Sequence, residues 1–421
     1  MRVLILGSVP PSAFKALNIN KLIFGAGWVE NLIFSLVNEN IEVYSMFVTS
    51  EVNEIILREY NGITFVAIPE SSGDLEAKFR SFKVIFEELL GKIKPDLVHI
   101  IGTEREYNYA MFKAFNNPNK IIISMTGLIT FCGEKYLGGI DEKILKRRTI
   151  GDILRRWGPL QERDSFFEAA IYEQKLLKEA KYVLGRTTWD KEKSLSINPN
   201  LKYTHCSEII NPIFYSEEWN FVNCKKHSIF VSQASYPLKG FHFLIEALPE
   251  ILKIYPDTKI YVAGTNMFDS STLIKRIKRS TYASYLLKRL KKLKIDKKCI
   301  EFVGLLTSEQ MMRQYLKANV FVLSSVIENS PNSLGEAMTL GVPSVASCVG
   351  GVPDMMESGS DGFVYPSNEP ALLAKHIISI FNDVKLAVTI SKNAKVKARQ
   401  FFNKEDVINT TIKTYKKILS E

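Results

Sequence analysis

Short runs of almost wholly apolar residues recur along the first half of the chain, each closed by glycine, proline or polar residues. They fall at Arg2 to Leu6, Glu42 to Val48, Thr64 to Ile68, Leu97 to Ile101, Lys120 to Met125 and Tyr182 to Gly185. Between several of them, apolar residues return at helical spacing, as in Trp28 to Val37 and Leu75 to Ile93. Continuous apolar runs predict strands buried on both faces, and interleaved helices predict a parallel sheet. Asp141 to Lys181 predicts a long helical stretch without strand signal, rich early in arginine (Arg147, Arg148, Arg155, Arg156). Pro199 to Asn223 is loop-like and contains Asn211-Pro212. The alternation then restarts. Strands are expected at Ser228 to Gln233, Lys259 to Ala263, Ile300 to Val303, Val320 to Leu323, Ser344 to Ala346 and Phe363 to Tyr365. Helices are expected at Gly240 to Ile254, Ser308 to Lys317 and through Glu369 to Leu419.

Two consecutive alternating halves predict an α/β protein of two doubly wound, Rossmann-like domains. The expected division is an N-terminal domain over 1–210, a linker over 211–227, a C-terminal domain over 228–395, and a last helical segment, 396–421, packing back on the first domain. In such sheets ligands bind at the carboxyl ends of the strands, so two facing sheets would place a ligand cleft between the domains.

Composition narrows the class. The 421 residues are 46% hydrophobic and 24% charged, with 23 glycines and 16 prolines, which excludes a low-complexity or collagen-like chain. Neither a signal peptide nor a membrane span is expected. The start of the chain lacks a long apolar run, and the longest mostly apolar stretch, Ile121 to Cys132, is too short and carries polar residues. The five cysteines are scattered with no C-x-x-C pair, so reduced thiols in a cytoplasmic protein are expected rather than disulfides or zinc. The five histidines have no metal-ligand spacing, and no metal is expected. Charge is uneven: Leu273 to Lys298 holds eleven Lys/Arg against one acid, Asp296, and so accounts for the whole formal net charge of +10. That segment suits an anionic membrane surface or nucleic acid, with a solvated helical face as the structural alternative.

Candidate chemistry is densest from Ser324 to Pro366. Glu328 precedes Pro331-Asn332-Ser333, which open a helix over Leu334 to Leu340, and Glu336 lies about one turn inside it. A helix N-terminus suits a phosphate, and carboxylates on either side can accept hydrogen bonds from sugar hydroxyls. Taken alone, the pair is better described as a helix-dipole carboxylate and an exposed face residue.

The ordered set Lys239-Gly240, Val303-Gly304, Glu328-x7-Glu336, Gly341-Val342-Pro343 and Gly350-Gly351-Val352-Pro353 resembles the retaining glycosyltransferases of family 4. The likeness runs through nearly the whole C-terminal half and more weakly through the N-terminal half. It implies the GT-B fold, with the second domain holding a nucleoside-diphosphate sugar, UDP-linked by expectation, and no separate cofactor. It further implies hexosyl transfer with retention to a glycan or lipid-linked acceptor. The expected setting is bacterial surface polysaccharide synthesis in the cytoplasm, peripheral on the inner face of the membrane, with no nucleic acid partner. By resemblance, Glu328 binds the donor sugar near the reacting centre, Glu336 holds the ribose hydroxyls and Lys239 neutralises the leaving diphosphate. Backbone groups at Asn332, Ser333 and Leu334 meet the diphosphate, and Val303-Gly304 flank the base. The chain departs from the family after the first strand of the second domain. Many relatives have Gly-Arg there, whereas this chain has Val231-Ser232-Gln233. Gln233 is the expected partial substitute.

In the first domain, Gly25-Ala26-Gly27 resembles the family's small-residue loop beside the donor phosphate, where the missing Cβ allows close approach. His99 lies inside a strand and reads as a core histidine. Gly102-Thr103-Glu104, Thr126-Gly127 and Lys135-Tyr136 are candidate acceptor loops, and Arg186 and Asp190 are either cleft residues or a structural pair. The alternatives to the transferase are another GT-B enzyme, or a nucleic-acid-binding protein that uses the 273–298 segment with Tyr282 and Tyr285 stacking on bases.

Overall fold

The computed structural model describes residues 1–19 and 27–421. Fourteen strands are found among them. Eight belong to the first sheet: β1 (Arg2–Leu6), β2 (Glu42–Thr49), β3 (Ile56–Tyr60), β4 (Ile63–Pro69), β5 (Leu97–Ile101), β6 (Ile121–Ser124), β7 (Tyr182–Gly185) and β8 (Lys202–His205). Their spatial order is β3-β4-β2-β1-β5-β6-β7-β8. Neighbours are parallel except in the β3–β4 hairpin, and Val3 on β1 is aligned with Val43 on β2 and Leu97 on β5.

The second sheet holds β9 (Ser228–Val231), β10 (Lys259–Ala263), β11 (Ile300–Gly304), β12 (Val320–Leu323), β13 (Ser344–Ser347) and β14 (Phe363–Tyr365), in the order β11-β10-β9-β12-β13-β14. All its pairings are parallel. In both sheets the strand order reverses beside the first strand, next to β1 and next to β9. Successive crossovers leave such a strand on opposite sides, which opens a crevice at its carboxyl end.

The chain folds as two compact units. The first contains Met1–Thr130, Phe167–Asn211 and Phe402–Glu421; the second contains Phe131–Phe166 and Pro212–Phe401. In the first, Val3, Ile5, Val43, Phe47, Phe65 and Leu97 form the core with Tyr415 and Ile418 from the last helix, Lys404–Ser420. In the second, Phe230 of β9, Phe321 of β12 and Tyr315 of the helix Ser308–Lys317 pack edge to face.

The helical stretch expected over 141–181 is three helices: Glu142–Leu145, Ile150–Arg155 and Pro159–Glu179. The breaks are local. The Thr149 side chain caps the second helix, Arg156 ends it at φ 52°, and Pro159 starts the third. Residues 131–166 pack with the second unit although they precede β7 in the chain. Thr149 Oγ1 donates to the Arg279 carbonyl at 2.7 Å, and Asp152 accepts from the Thr281 N–H at 2.8 Å. No helix among the described residues is long and apolar enough to cross a membrane.

Candidate functional site

At the switch point of the second sheet, the loops after β9 and β12 run side by side, and the residue types they carry set the local chemistry. Lys239 ends a short 3-10 turn, Pro237–Lys239, and Gly240 follows at φ 62°. A Cβ at Gly240 would lie 1.8 Å from the Ser324 carbonyl oxygen, so the loops touch backbone to backbone and only glycine fits. The Val326 N–H donates to the Leu238 carbonyl at 2.9 Å, and Ser324 Oγ donates to the Lys239 carbonyl at 3.0 Å. A third loop, after β13, locks the other side. The Gly351 N–H donates to the Glu328 carbonyl at 3.1 Å, and Ser347 Oγ donates to the Ser325 carbonyl at 2.5 Å. A Cβ at Gly350, φ 53°, would sit 1.7 Å from the Glu328 carbonyl oxygen.

This clamp brings Lys239 and Glu328 together. Lys239 Nζ donates to Glu328 Oε1 at 2.6 Å, and Ser325 Oγ donates to the same oxygen at 2.7 Å. The two side chains are 20% and 14% exposed, so the pair is largely withdrawn from water yet still reachable. Burial alone would push the Lys239 ammonium down; the negative charge of Glu328 outweighs it and holds the amine above its ordinary value. Lys239 is therefore a fixed cation.

Four residues after Glu328, the chain enters the helix Asn332–Leu340, with Pro331 at its N-cap and no side-chain cap hydrogen bond. The Leu334 and Gly335 N–H groups turn back to the Pro331 carbonyl, so the helix start carries its partial positive charge uncovered by a capping side chain. Glu336, half-buried on this helix, accepts from the Tyr315 hydroxyl at 3.1 Å, and that hydroxyl also lies 2.9 Å from the Ser333 carbonyl. Burial, reinforced by the Glu336 charge, holds the Tyr315 phenol far above its ordinary value, so it acts as a neutral donor. Val303 and Gly304 close β11, where the Gly264 N–H donates to the Gly304 carbonyl at 2.8 Å; both glycines have positive φ. Gln233 is exposed in the loop after β9.

Of the sequence-predicted residues, Lys239 and Glu328 are in contact, and Asn332, Ser333, Leu334 and Glu336 follow on the adjoining helix. Gly25 lies outside the described residues, and Gly27 opens the helix Gly27–Asn38. His99 is fully buried between Tyr415 Oη at 2.6 Å and Ser124 Oγ at 2.7 Å, and burial lowers its pKa to about 3. It is a core residue. Arg186 pairs with Glu208 at 3.0 Å, while Asp190 accepts from the Arg186 backbone N–H at 2.8 Å, so the acid fixes the backbone and not the guanidinium. Tyr136 is buried and stacks on Tyr236, 6.2 Å between centroids, within the second unit. In the first unit, Glu104 accepts from the Thr103 N–H at 2.8 Å and from the Thr126 hydroxyl, which joins the loops after β5 and β6. Buried Glu173 ties the same loops by accepting from Thr103 Oγ1 at 2.5 Å and from the Ile129 and Thr130 N–H groups at 3.0 and 2.9 Å.

Two contributors, Ser325 and Tyr315, were not singled out in the sequence. Serine after a strand and tyrosine on an amphipathic helix are too common to signal a partner. Tyr282, a candidate for base stacking, is 1% exposed and unavailable for it. Among the described residues, no group of three or more His, Cys, Asp or Glu is arranged to hold a metal ion.

Residues 214–397 match the family model described as glycosyl transferases group 1. Spore coat protein SA of Bacillus subtilis is 27% identical over 195 residues, 46% of this chain and 49% of that protein. The chain thus spans about half the length of the curated relatives it matches. Among solved structures, sucrose-phosphate synthase from Thermosynechococcus elongatus superposes with a TM-score of 0.74 at 16% identity, covering 100% of this chain and 99% of that one. Anabaena Alr3699/HepE, solved in complex with UDP-glucose, gives 0.67 at 14% identity, covering 99% and 100%. The fold is that of the GT-B glycosyltransferases, and the second unit is where this chain matches glycosyl transferases group 1.

Proposed function

We propose that this protein is a retaining glycosyltransferase that moves a hexose from a nucleoside-diphosphate sugar, UDP-linked, to a glycan or lipid-linked acceptor. The observation that carries the reading is the Lys239–Glu328 pair, 2.6 Å apart at the switch point of the second sheet and continuous with an uncapped helix start. Cleaving a sugar–phosphate bond moves an electron pair onto a phosphate oxygen. A fixed cation and helix N–H groups aimed there stabilise that charge without rearranging. In this reading Lys239 and the backbone of the helix start at Asn332, Ser333 and Leu334 receive the diphosphate, with Gln233 beside them. Glu328 orients the sugar hydroxyls, Glu336 takes the ribose hydroxyls, and Val303-Gly304 flank the base. UDP is supported by the likeness in fold to a protein solved with UDP-glucose.

The acceptor hydroxyl oxygen bonds to the anomeric carbon on the face the diphosphate leaves. The carbon–oxygen bond to phosphate breaks, and the hydroxyl proton passes to the departing phosphate oxygen. The loops at 102–104 and 126–127 hold the acceptor. The setting is the cytoplasmic side of a bacterial membrane, in surface polysaccharide assembly. The test is incubation with UDP-glucose and related donors, with proton NMR of the released or transferred sugar. Nucleoside diphosphate release with an α-configured product supports retention, a β-configured product removes it, and no release from any nucleoside-diphosphate sugar removes the transferase.

A further inference from the structure

The second unit carries a surface that the transfer chemistry does not use. The helix Ile150–Arg155 has only six residues, of which Gly151 and Asp152 are buried. Its apolar residues Ile150, Ile153 and Leu154 fall at i, i+3 and i+4, one helical face, and are 60%, 56% and 69% exposed; Trp157 follows, also exposed. The five-residue helix Leu273–Ile277 buries nothing, and its Leu273, Ile274 and Ile277 likewise fall on one face and are exposed. Helices this short do not persist on propensity in water and depend on what they pack against.

The two helices are bound to each other. A Cβ at Gly151 would lie 2.6 Å from the Lys278 carbonyl carbon, so the backbones abut. Arg155 Nη1 donates to the Lys278 carbonyl at 2.6 Å, Thr149 Oγ1 to the Arg279 carbonyl at 2.7 Å, and the Thr281 N–H to Asp152 Oδ2 at 2.8 Å. The sequence thus builds a platform from two distant segments and leaves its aliphatic residues in water. Arg147, Arg155, Arg156, Lys275, Arg276 and Lys278 surround them, all exposed. Nearby acids are consumed internally: Asp152 is buried against Arg155, and Asp269 pairs with Lys275 at 2.7 Å.

We propose that this platform docks the protein on an anionic lipid bilayer, with the aliphatic residues and Trp157 in the acyl–headgroup boundary and the basic residues among the headgroups. Charge chooses the occupant. The centre of a protein interface is depleted of lysine, whereas an interfacial membrane helix pairs a basic collar with exposed Leu, Ile and Trp. Tyr282, one of the two tyrosines offered for base stacking, is buried and takes no part in this surface. The inference stands apart from the activity and is read without a sugar donor.

The test is co-flotation of the whole protein with phosphatidylcholine vesicles with and without phosphatidylglycerol, at low and high salt. Binding to the anionic vesicles at low salt is expected, released by salt, with a blue shift of tryptophan emission that Trp157→Phe removes. Each basic residue near such a surface contributes about fivefold, so Arg147→Gln/Arg156→Gln/Arg276→Gln weakens binding about a hundredfold. Leu154→Ser and Ile274→Ser each weaken it about tenfold or more, while Val222→Ser, at a comparably exposed apolar site elsewhere, leaves it unchanged. All these positions are exposed, so folding, checked by circular dichroism, is retained. No binding of the wild type at low salt overturns the proposal, as does binding indifferent to the Leu154 and Ile274 changes. Self-association abolished by those changes, without vesicle binding, assigns the surface to a second copy instead.

Discussion

Replacing Lys239 by alanine separates a catalytic cation from a structural ion pair. Removing one partner of a fully buried pair costs about 3–5 kcal/mol, because the other charge is stranded. Here Glu328 keeps its hydrogen bond from Ser325 Oγ at 2.7 Å, and the two side chains are 20% and 14% exposed. The expected loss of stability is therefore smaller, about 1–2 kcal/mol. The loss of rate is set by a different quantity, the charge that develops on the leaving diphosphate. Removing one preorganised donor from such a site lowers kcat by about 10²–10³, or ~2.7–4 kcal/mol. Lys239→Arg keeps the charge but changes its shape and falls between wild type and alanine. The assay is steady-state release of nucleoside diphosphate from a saturating donor, alongside urea unfolding of the same samples. The folded amine lies above its ordinary value of 10.5, so its contribution is complete below that pH and is lost only as pH rises through the folded value. Up to about pH 10, the rate ratio between wild type and Lys239→Ala stays flat. A folded Lys239→Ala with kcat within fivefold of wild type refutes the assignment and leaves Lys239 as an ion-pair residue.

Three further outcomes follow from the geometry. Glu336→Ala removes the carboxylate that Tyr315 orients, and nucleotide binding measured by calorimetry weakens about 10- to 100-fold, the range for hydrogen bonds to a charged group. Gly350→Ala places a methyl group against the Glu328 carbonyl at a positive φ; a cost of at least about 1–2 kcal/mol is expected, with activity falling further than stability because Glu328 is displaced. Burial lowers the folded pKa of His99 to about 3 from 6.5, so its neutral form stabilises the protein fully above 6.5 and that contribution is lost as pH falls toward 3. At pH 5 the urea-measured stability drops by about 2 kcal/mol from this residue, and His99→Gln removes that part of the dependence.

Much of this was legible in sequence because the inner strands are largely buried and so appear as apolar runs: β1, β5, β7, β10 and β12 lie where the pattern places them. The strands the pattern missed are edges. β3 (ILREY) and β8 (KYTH) carry charged and polar residues and bury none of them, so neither reads as an apolar run. The 141–181 stretch seemed one helix because Arg156 leaves no mark of the left-handed turn it adopts. Its second-unit partners also lie more than a hundred residues away, as in the Thr149–Arg279 bond. At the candidate site, glycines and glutamates announced themselves by spacing. The groups that position them did not: Ser325 reaches Glu328 within one loop, three residues away, and Tyr315 reaches Glu336 from the helix before β12 to the helix after it. Arg186 offered a sequence neighbour, Asp190, as its partner and took Glu208 instead, a choice made by the fold of β7 and β8 and not by proximity in the chain.

The central claim is that the switch point of the second unit binds a nucleoside-diphosphate sugar. Its most direct test is thermal and denaturant unfolding with UDP, GDP and ADP and their sugar conjugates, on wild type and Glu336→Ala. A ligand at ~100 times its dissociation constant adds ~2.7 kcal/mol. The account predicts that gain with a uridine ligand and its reduction in the variant. No gain with any of the nucleotides, or a gain equal in both proteins, contradicts it.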